Sequence, residues 1–494
     1  MNGEPSSRTS LSAAGWGACS PTQALADLPA DARPLSWFSP GTLLESRNDI
    51  LAKRLRDPTP AARRAWVARM RAAGADPAAR LAAPAGAAGH AWSFLVLGDP
   101  GEGDASQYAV VPSLEARGAD AAFMVICSDV IYPAGDVADY AEKFLRPYRR
   151  FGRPIYAVPG NHDWYDGLQG FMFHFCDADP ARAPAGEDGL RGLLARTLWR
   201  RPDAATAAAR EARDGWRQGA GRGATQPGPY WAMDAGPVRL VGIDTGITGG
   251  LDREQGDWLR RVSTEDPRPK VLLTGKPLIV DGAVKPGPIE GGGTVDAIVR
   301  DPAANYVAAL GGDIHNYQRY PVRLPDGRLL QYVVTGAGGA YTSATHRIPR
   351  VALPGCDEAD FRCYPRRGDS LAFYSRLYDR RLAHGAGRLA IDPDQAAAIM
   401  AERLGIAPTR PSTTRITPRS RRAAARVFPL PGHLRGPLHL FFSEFFDWNE
   451  PPLFKSFVRV DVTPAALRLR CFAATGCARN DAEPPLEDDV EIPL

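Results

Sequence analysis

Four short segments of this sequence carry side chains suited to metal chemistry. They are Gly98-Asp99, Asp129 with Tyr132, Gly160-Asn161-His162-Asp163, and Asp313 with His315. Carboxylates, an amide oxygen, an imidazole and a phenolate are hard-to-borderline donors for divalent and trivalent metal ions. Each segment ends an apolar run: WSFLVLGD, AAFMVICSD, PIYAVPGNHD and YVAALGGDIH. VRLVGIDTG and KVLLTGKP have the same texture. Such runs read as buried strands. Helical stretches at 136–150 and 252–262 lie between them, and the alternation predicts an α/β fold. In open α/β sheets, chemistry collects in loops beyond the strand C-termini, which is where these residues fall. Brought to one point without a cation, the carboxylates would repel one another and take up protons. Each residue also has a plain structural reading. A Gly-Asp turn after a strand is common, Tyr132 before Pro133 suits packing, Asn161 and His162 suit capping, and His315 suits a satisfied core histidine. Their recurrence at successive strand ends favours a metal centre.

In this order the motifs GDPG (98–101), SDVIY (128–132), GNHD (160–163), TGKP (274–277) and GDIH (312–315) resemble those of the calcineurin-like metallophosphoesterase superfamily. The resemblance spans residues 92–345. It implies a four-layer α/β/β/α sandwich of two mixed sheets, hydrolysis of a phosphoester substrate, and one or two metal ions (Mn, Fe or Zn). It implies a first metal held by Asp99, Asp129, Tyr132 and His315. Gly101 stands where the family's usual second ligand, a histidine, would be, and the D-x-x-Y motif resembles the purple acid phosphatase arrangement. For a second metal the resemblance supplies Asp129 and Asn161, but two positions have changed. The family's lone histidine falls on Gly275, beside Lys276, and the first histidine of GHxH is Asp313, an oxygen donor. One reading is a dinuclear centre, with Asp313 as ligand and water filling the gap. The other is a mononuclear centre in which the Lys276 ammonium, paired with Asp313, takes over part of the second metal's charge. The remaining donors put the dinuclear reading ahead. The implied mechanism is in-line attack by metal-bound hydroxide. His162 serves the leaving oxygen, Asp163 orients His162, and Lys276 contacts phosphate. The alternative is a non-catalytic or regulatory protein of the same fold with an impaired second metal site.

Behind these motifs stands a chain of 494 residues, 44% apolar and 23% charged, with a net charge of +4. This is ordinary globular chemistry. Six lysines stand against 54 arginines, so one arginine carries little meaning and one lysine rather more. The basic run 410–426 has six arginines but no interleaved aromatics. It reads as a solvated linker, and nucleic acid is not an expected partner. No apolar stretch approaches the ~18–20 residues of a membrane span, and the N-terminus lacks the pattern of a secretory signal. Seven cysteines without a CxxC pair argue against a zinc ribbon or disulfide scaffold and predict reduced thiols in a cytoplasm. The sequence sets no oligomeric state.

The organisation that must position the motifs divides as follows. Residues 1–90 form an N-terminal extension, with one or two helices over 41–82. Residues 91–345 form the core, interrupted by an Ala/Arg-rich helical insertion at 177–228. Residues 346–433 form a covering segment and a Pro/Arg-rich linker. Residues 434–494 supply strands that complete the core sheet, beginning with LHLFFSEFF, FKSFVRVDV and LRLRCFAAT. The spacing of Phe457, Val458, Val460 and Val462 predicts one buried strand face. GEGD (101–104) and TGAGGAY (335–341) fit no phosphate-loop pattern. His346 reads as a surface residue, His174 as packed, Cys127 as a buried strand residue, and Arg319 as no substrate ligand.

Overall fold

A computed structural model of the chain describes residues 25–494 apart from 26, 30, 31, 33, 34, 38, 56, 77–79, 88–90, 180–197, 201–204, 220–224, 408–414, 429–451 and 478–481. One sheet has six strands, in the order Leu486–Pro493, Ala466–Ala474, Lys455–Val462, Trp92–Gly98, Phe123–Cys127 and Ile155–Val158. The last three are parallel, and the other pairings are antiparallel. The second sheet has eight strands: Arg80–Leu81, Trp231–Ala235, Val238–Ile243, Lys270–Thr274, Tyr306–Gly311, Leu329–Thr335, Tyr317–Arg323 and Arg362–Tyr364. Its four consecutive strands from Val238–Ile243 to Leu329–Thr335 are parallel.

The apolar runs are continuous because both faces of these strands are covered. In Trp92–Gly98, Phe94 and Val96 enter the layer between the sheets, while Leu95 and Leu97 enter the layer outside. Between the sheets, Phe94, Val96 and Val125 share a core with Leu240, Leu273 and Val333. Helices Val111–Gly118 and Gln169–Phe175 cover the outside of the first sheet through Leu114, Phe171 and Met172. Helices Arg253–Thr264 and Val295–Arg300 cover the second through Trp258, Leu259 and Val299. The fold is the expected sandwich of two mixed sheets between helical layers.

The C-terminal part of the chain returns to the core. Lys455–Val462 pairs antiparallel with Trp92–Gly98, with Val458 opposite Val96. The strand Leu486–Pro493 escaped the sequence reading because its acidic run leaves little apolar signal. Its Asp488 takes a two-pronged ion pair from Arg319 of the second sheet, at 2.5 Å and 3.0 Å, plus a hydrogen bond from the Tyr317 hydroxyl at 2.8 Å. Arg319 is thus a tie between the two sheets.

Several expectations are corrected. Among the described residues the extension has three helices, α1 (Pro40–Glu45), α2 (Arg47–Arg54) and α3 (Thr59–Ala72). The expected helix at 136–150 is only a π-helical stretch, Ala141–Leu145, because Pro147 lacks an amide donor and disfavours helix before it. Within 177–228, the helix Ala207–Gln218 is capped by Thr206, and much of the remainder lies outside the described residues, as does LHLFFSEFF. His346 is buried, not exposed. It sits against Ser370, 2.9 Å away, beside the packed helices Arg367–Leu382, Pro393–Leu404 and Pro418–Val427. Five cysteines are free thiols, but Cys477 is disulfide-bonded, so the thiols are not uniformly reduced. Among the described residues, no helix is long and apolar enough to cross a membrane.

The Arg319–Asp488 pair is nearly solvent-free, with both side chains under one-tenth exposed. Removing one partner of such a pair costs about 3–5 kcal/mol. Asp488→Ala is therefore expected to lower unfolding stability by that amount, read from a denaturant titration. An unchanged midpoint would contradict the role assigned to the pair.

Candidate metal centre

The parallel strands of both sheets deliver their C-terminal ends to one place. Asp99 follows Gly98, Asp129 follows Cys127 by two residues, Asn161 follows Val158 by three, and Asp313 follows Gly311 by two. Asp99 and Asp313 both have positive φ, 53° and 66°, which turns the chain sharply off each strand. Gly160 keeps the loops close: a Cβ there would lie 2.1 Å from Asp129 Oδ1.

At the back of the site, three side chains surround the hydroxyl of Tyr132. Asp99 Oδ1 lies 3.2 Å away, Asp129 Oδ2 3.1 Å and His315 Nε2 3.1 Å. All four residues are buried. The opposite ring nitrogen of His315, Nδ1, lies 3.0 Å from the Tyr341 carbonyl, which can only accept, so Nδ1 carries the proton and Nε2 offers a lone pair. Burial and the nearby Lys455 push the His315 pKa down to about 3, keeping the ring neutral. The phenol has one proton and faces three acceptors. Burial, followed by its carboxylate neighbours Asp129 and Asp313, pushes Asp99 well above the usual carboxylate range. Burial likewise raises Asp129. Among the described residues, no group of three or more His, Cys, Asp or Glu side chains is placed to hold a metal by itself. The phenolic oxygen is what links the donors here. Two carboxylates, a phenol and an imidazole lone pair with a single shared proton have the donor chemistry a metal cation requires.

A second group lies nearer the surface. Lys276 Nζ donates to Asn161 Oδ1 at 3.2 Å and forms an ion pair with Asp313 Oδ1. Burial disfavours the Lys276 charge, but Asp313 overrides this and holds the ammonium above its usual range. The Asn161 amide group donates its hydrogen to the Tyr165 hydroxyl at 2.8 Å, which turns its oxygen toward the lysine. His162, Lys276 and Asp313 are half-buried and form the accessible rim.

His162 is positioned by its backbone and by Pro133. Its N–H donates to Asp129 Oδ1 at 2.7 Å, and its Nδ1 lies 2.7 Å from the Pro133 carbonyl. The expectation that Asp163 orients the His162 ring is corrected. The Asp163 carboxylate is fully buried and accepts the backbone N–H groups of Gly160 at 2.9 Å and Val130 at 3.2 Å. It staples the GNHD loop to the SDVIY loop, while the His162 ring nitrogen Nδ1 turns to the Pro133 carbonyl instead.

Sequence reasoning missed the supports. Trp37, from the N-terminal extension, packs edge-on against Tyr132 and His162, with ring centroids 5.5 Å and 5.2 Å apart. The helices of the extension grip the loop that follows GNHD. Asn48 donates to the Tyr165 carbonyl at 2.7 Å, and Trp66 donates to the Gly167 carbonyl at 3.0 Å. The buried Arg63 joins Asp244 and Asp252, each at 2.7 Å. Lys143 holds the Tyr132 carbonyl at 2.6 Å, and Lys455 donates to the Ala340 carbonyl and Thr342. Sequence reasoning singled out neither, although the scarcity of lysine was a signal that could have found them.

Residues 93–317 match the family model for the calcineurin-like phosphoesterases. No curated protein sequence matches the chain. Similar solved structures include a purple acid phosphatase from yellow lupin (Lupinus luteus) seeds, at 12% identity and a TM-score of 0.40, covering 83% of this chain. This chain spans 55% of that enzyme's length. GAP50, the anchor in the inner membrane complex of Plasmodium, has 10% identity and a TM-score of 0.34, with 56% of this chain and 81% of that one covered. TT1561 of Thermus thermophilus has 12% identity and a TM-score of 0.27, with 50% of this chain and 89% of that one covered. The ordered motifs, the two-sheet sandwich and the family match together identify residues 93–317 as a calcineurin-like phosphoesterase domain.

Proposed function

We propose that this protein hydrolyses a phosphoester at a metal centre held by Asp99, Asp129, Tyr132 and His315. The observation that carries the reading is the Tyr132 hydroxyl, which two buried carboxylates and a neutral imidazole share inside a phosphoesterase domain. When bound, a Mn, Fe or Zn ion supplies Lewis acidity, bringing water toward hydroxide near neutral pH and offsetting charge on the phosphoryl oxygens. His315 is oriented for this by the Tyr341 carbonyl. His162 spends Nδ1 on the Pro133 carbonyl, which leaves Nε2 to face the leaving oxygen and, as an imidazolium, to give it a proton. Lys276 places a positive charge at the accessible rim, where an anionic phosphoryl group must enter. Asp163 acts indirectly, by holding the loop that carries Asn161 and His162.

The expected partner is the phosphoester itself, and no feature of the site calls for nucleic acid. Five free thiols support a cytoplasmic location, whereas the Cys477 disulfide argues for a more oxidising one. The regulatory reading draws its support from Lys276 standing against Asn161 and Asp313, two of the donors a second metal would need.

The test is an assay of Mn²⁺- or Fe²⁺-reconstituted protein against p-nitrophenyl phosphate and its bis-ester, with Asp129→Asn as control. Hydrolysis of at least one ester, lost in the control, is expected. Metal-loaded protein that hydrolyses neither would favour the regulatory reading. His162→Ala is expected to lower kcat by roughly 10²–10⁴-fold with metal content near normal. Asp163→Ala leaves two buried amides unpaired and is expected to lose about 1–3 kcal/mol of stability, which His162→Ala does not. Equal melting of the two variants would refute the division of roles.

A further inference from the structure

The second-metal position contains a cation made of protein. Lys276 Nζ lies 3.2 Å from Asn161 Oδ1 and is paired with Asp313 Oδ1, two of the oxygens that the sequence offered to a second metal. Both are held in place from behind. Asn161 is fixed by Tyr165, and the Asp313 backbone N–H donates to Asp99 Oδ2 at 2.8 Å. The lysine is equally confined. Its carbonyl accepts from Thr274 Oγ1 at 3.0 Å, and its stem passes Gly249, where a Cβ would approach Cδ to 3.2 Å. Asp129, the carboxylate that would have to bridge two metals, already gives Oδ1 to the His162 N–H.

The missing histidine is also excluded by shape. A Cβ at Gly275 would lie 2.4 Å from the Pro159 carbonyl oxygen and 3.1 Å from Thr245 Oγ1. Backbone occupies that space, so no side chain fits at 275 unless the strand ends move apart. The donors of the first site fit a metal, and those of the second do not.

We propose that the centre takes a single metal ion, and that the Lys276 ammonium, clamped between Asn161 and Asp313, is the fixed second cation that binds a phosphoryl oxygen. This deepens the function proposed above and rests on its four-donor metal site. It reverses the dinuclear expectation. A metal at the second position would have to expel a charged lysine from between two oxygens and find a replacement for the absent imidazole. A fixed ammonium offers up to three N–H donors to an oxyanion and needs no loading. It also gives one of only six lysines in the chain a defined task.

The experiment counts metal in the full-length protein. The protein is stripped with chelator, reloaded with excess Mn²⁺, desalted and measured by mass spectrometry of the metal. One equivalent is expected. Two equivalents would overturn this inference and leave the four-donor centre standing, whereas none would overturn both. A second arm measures binding of inorganic phosphate to the metal-loaded protein by calorimetry. Lys276→Met is expected to weaken it ~10-fold or more, the scale of one charge-assisted hydrogen bond. Equal phosphate affinity in Lys276→Met and the unaltered protein would overturn the cation role. The count on the unaltered protein stands on its own if the variant does not fold.

Discussion

Two carboxylates, Asp99 and Asp129, are buried within hydrogen-bond reach of one phenol that can donate to only one acceptor at a time. Negative charge removed from water and left uncompensated is among the more costly arrangements a fold can maintain. Burial of these side chains already pushes both carboxyls toward their protonated forms. The neutral His315 lone pair adds a third acceptor to the same oxygen. A cation would relieve all of this at once, and much of the surrounding architecture holds these side chains together.

That architecture works in layers around the site. The sandwich brings two sets of parallel strand ends together, so carboxylates far apart in the chain meet at loops only a few residues long. Backbone amides then lock the loops. The amide of His162 holds Asp129, that of Asp313 holds Asp99, and Asp163 takes those of Gly160 and Val130. Outside this lies the N-terminal extension, which is part of the site's wall rather than an appendage. Trp37 closes over Tyr132 and His162, and Asn48, Arg63 and Trp66 fasten the following loop segments from outside. Lysines are used where a single compact charge is needed. Lys143 and Lys455 hold carbonyls behind the donors, and Lys276 faces the opening.

The layered fold and the convergence of the strand-end residues were legible because they rest on local patterns. An apolar run ending in small and polar residues reports a buried strand and its C-terminal end in a few residues, and five motifs in order, two of them Gly-Asp turns, leave little freedom. Three kinds of feature were not legible. Long-range pairing was one: nothing near Asp488 announces that Arg319, 169 positions away, will meet it. Local hydrogen-bond competition was another. Asp163 sits next to His162 in sequence, which suggested that it orients the ring, but unpaired amides nearby claimed its carboxylate. Backbone crowding was the third. Gly275 read as the loss of a histidine, whereas the Pro159 carbonyl shows that the backbone has closed over the space a side chain would need. Lys276 was visible as rare and suspicious, but only its distances to Asn161 and Asp313 separate a replacement cation from a neighbour of a gap.

The proposed metal centre depends on the Tyr132 hydroxyl oxygen, which joins the first-site donors. The direct measurement is the visible absorption spectrum of Fe³⁺-loaded protein beside that of Tyr132→Phe. A phenolate bound to ferric iron absorbs visible light by charge transfer. A coloured protein whose visible band disappears in Tyr132→Phe is expected. Iron bound without such a band, or a band that survives in Tyr132→Phe, would contradict it.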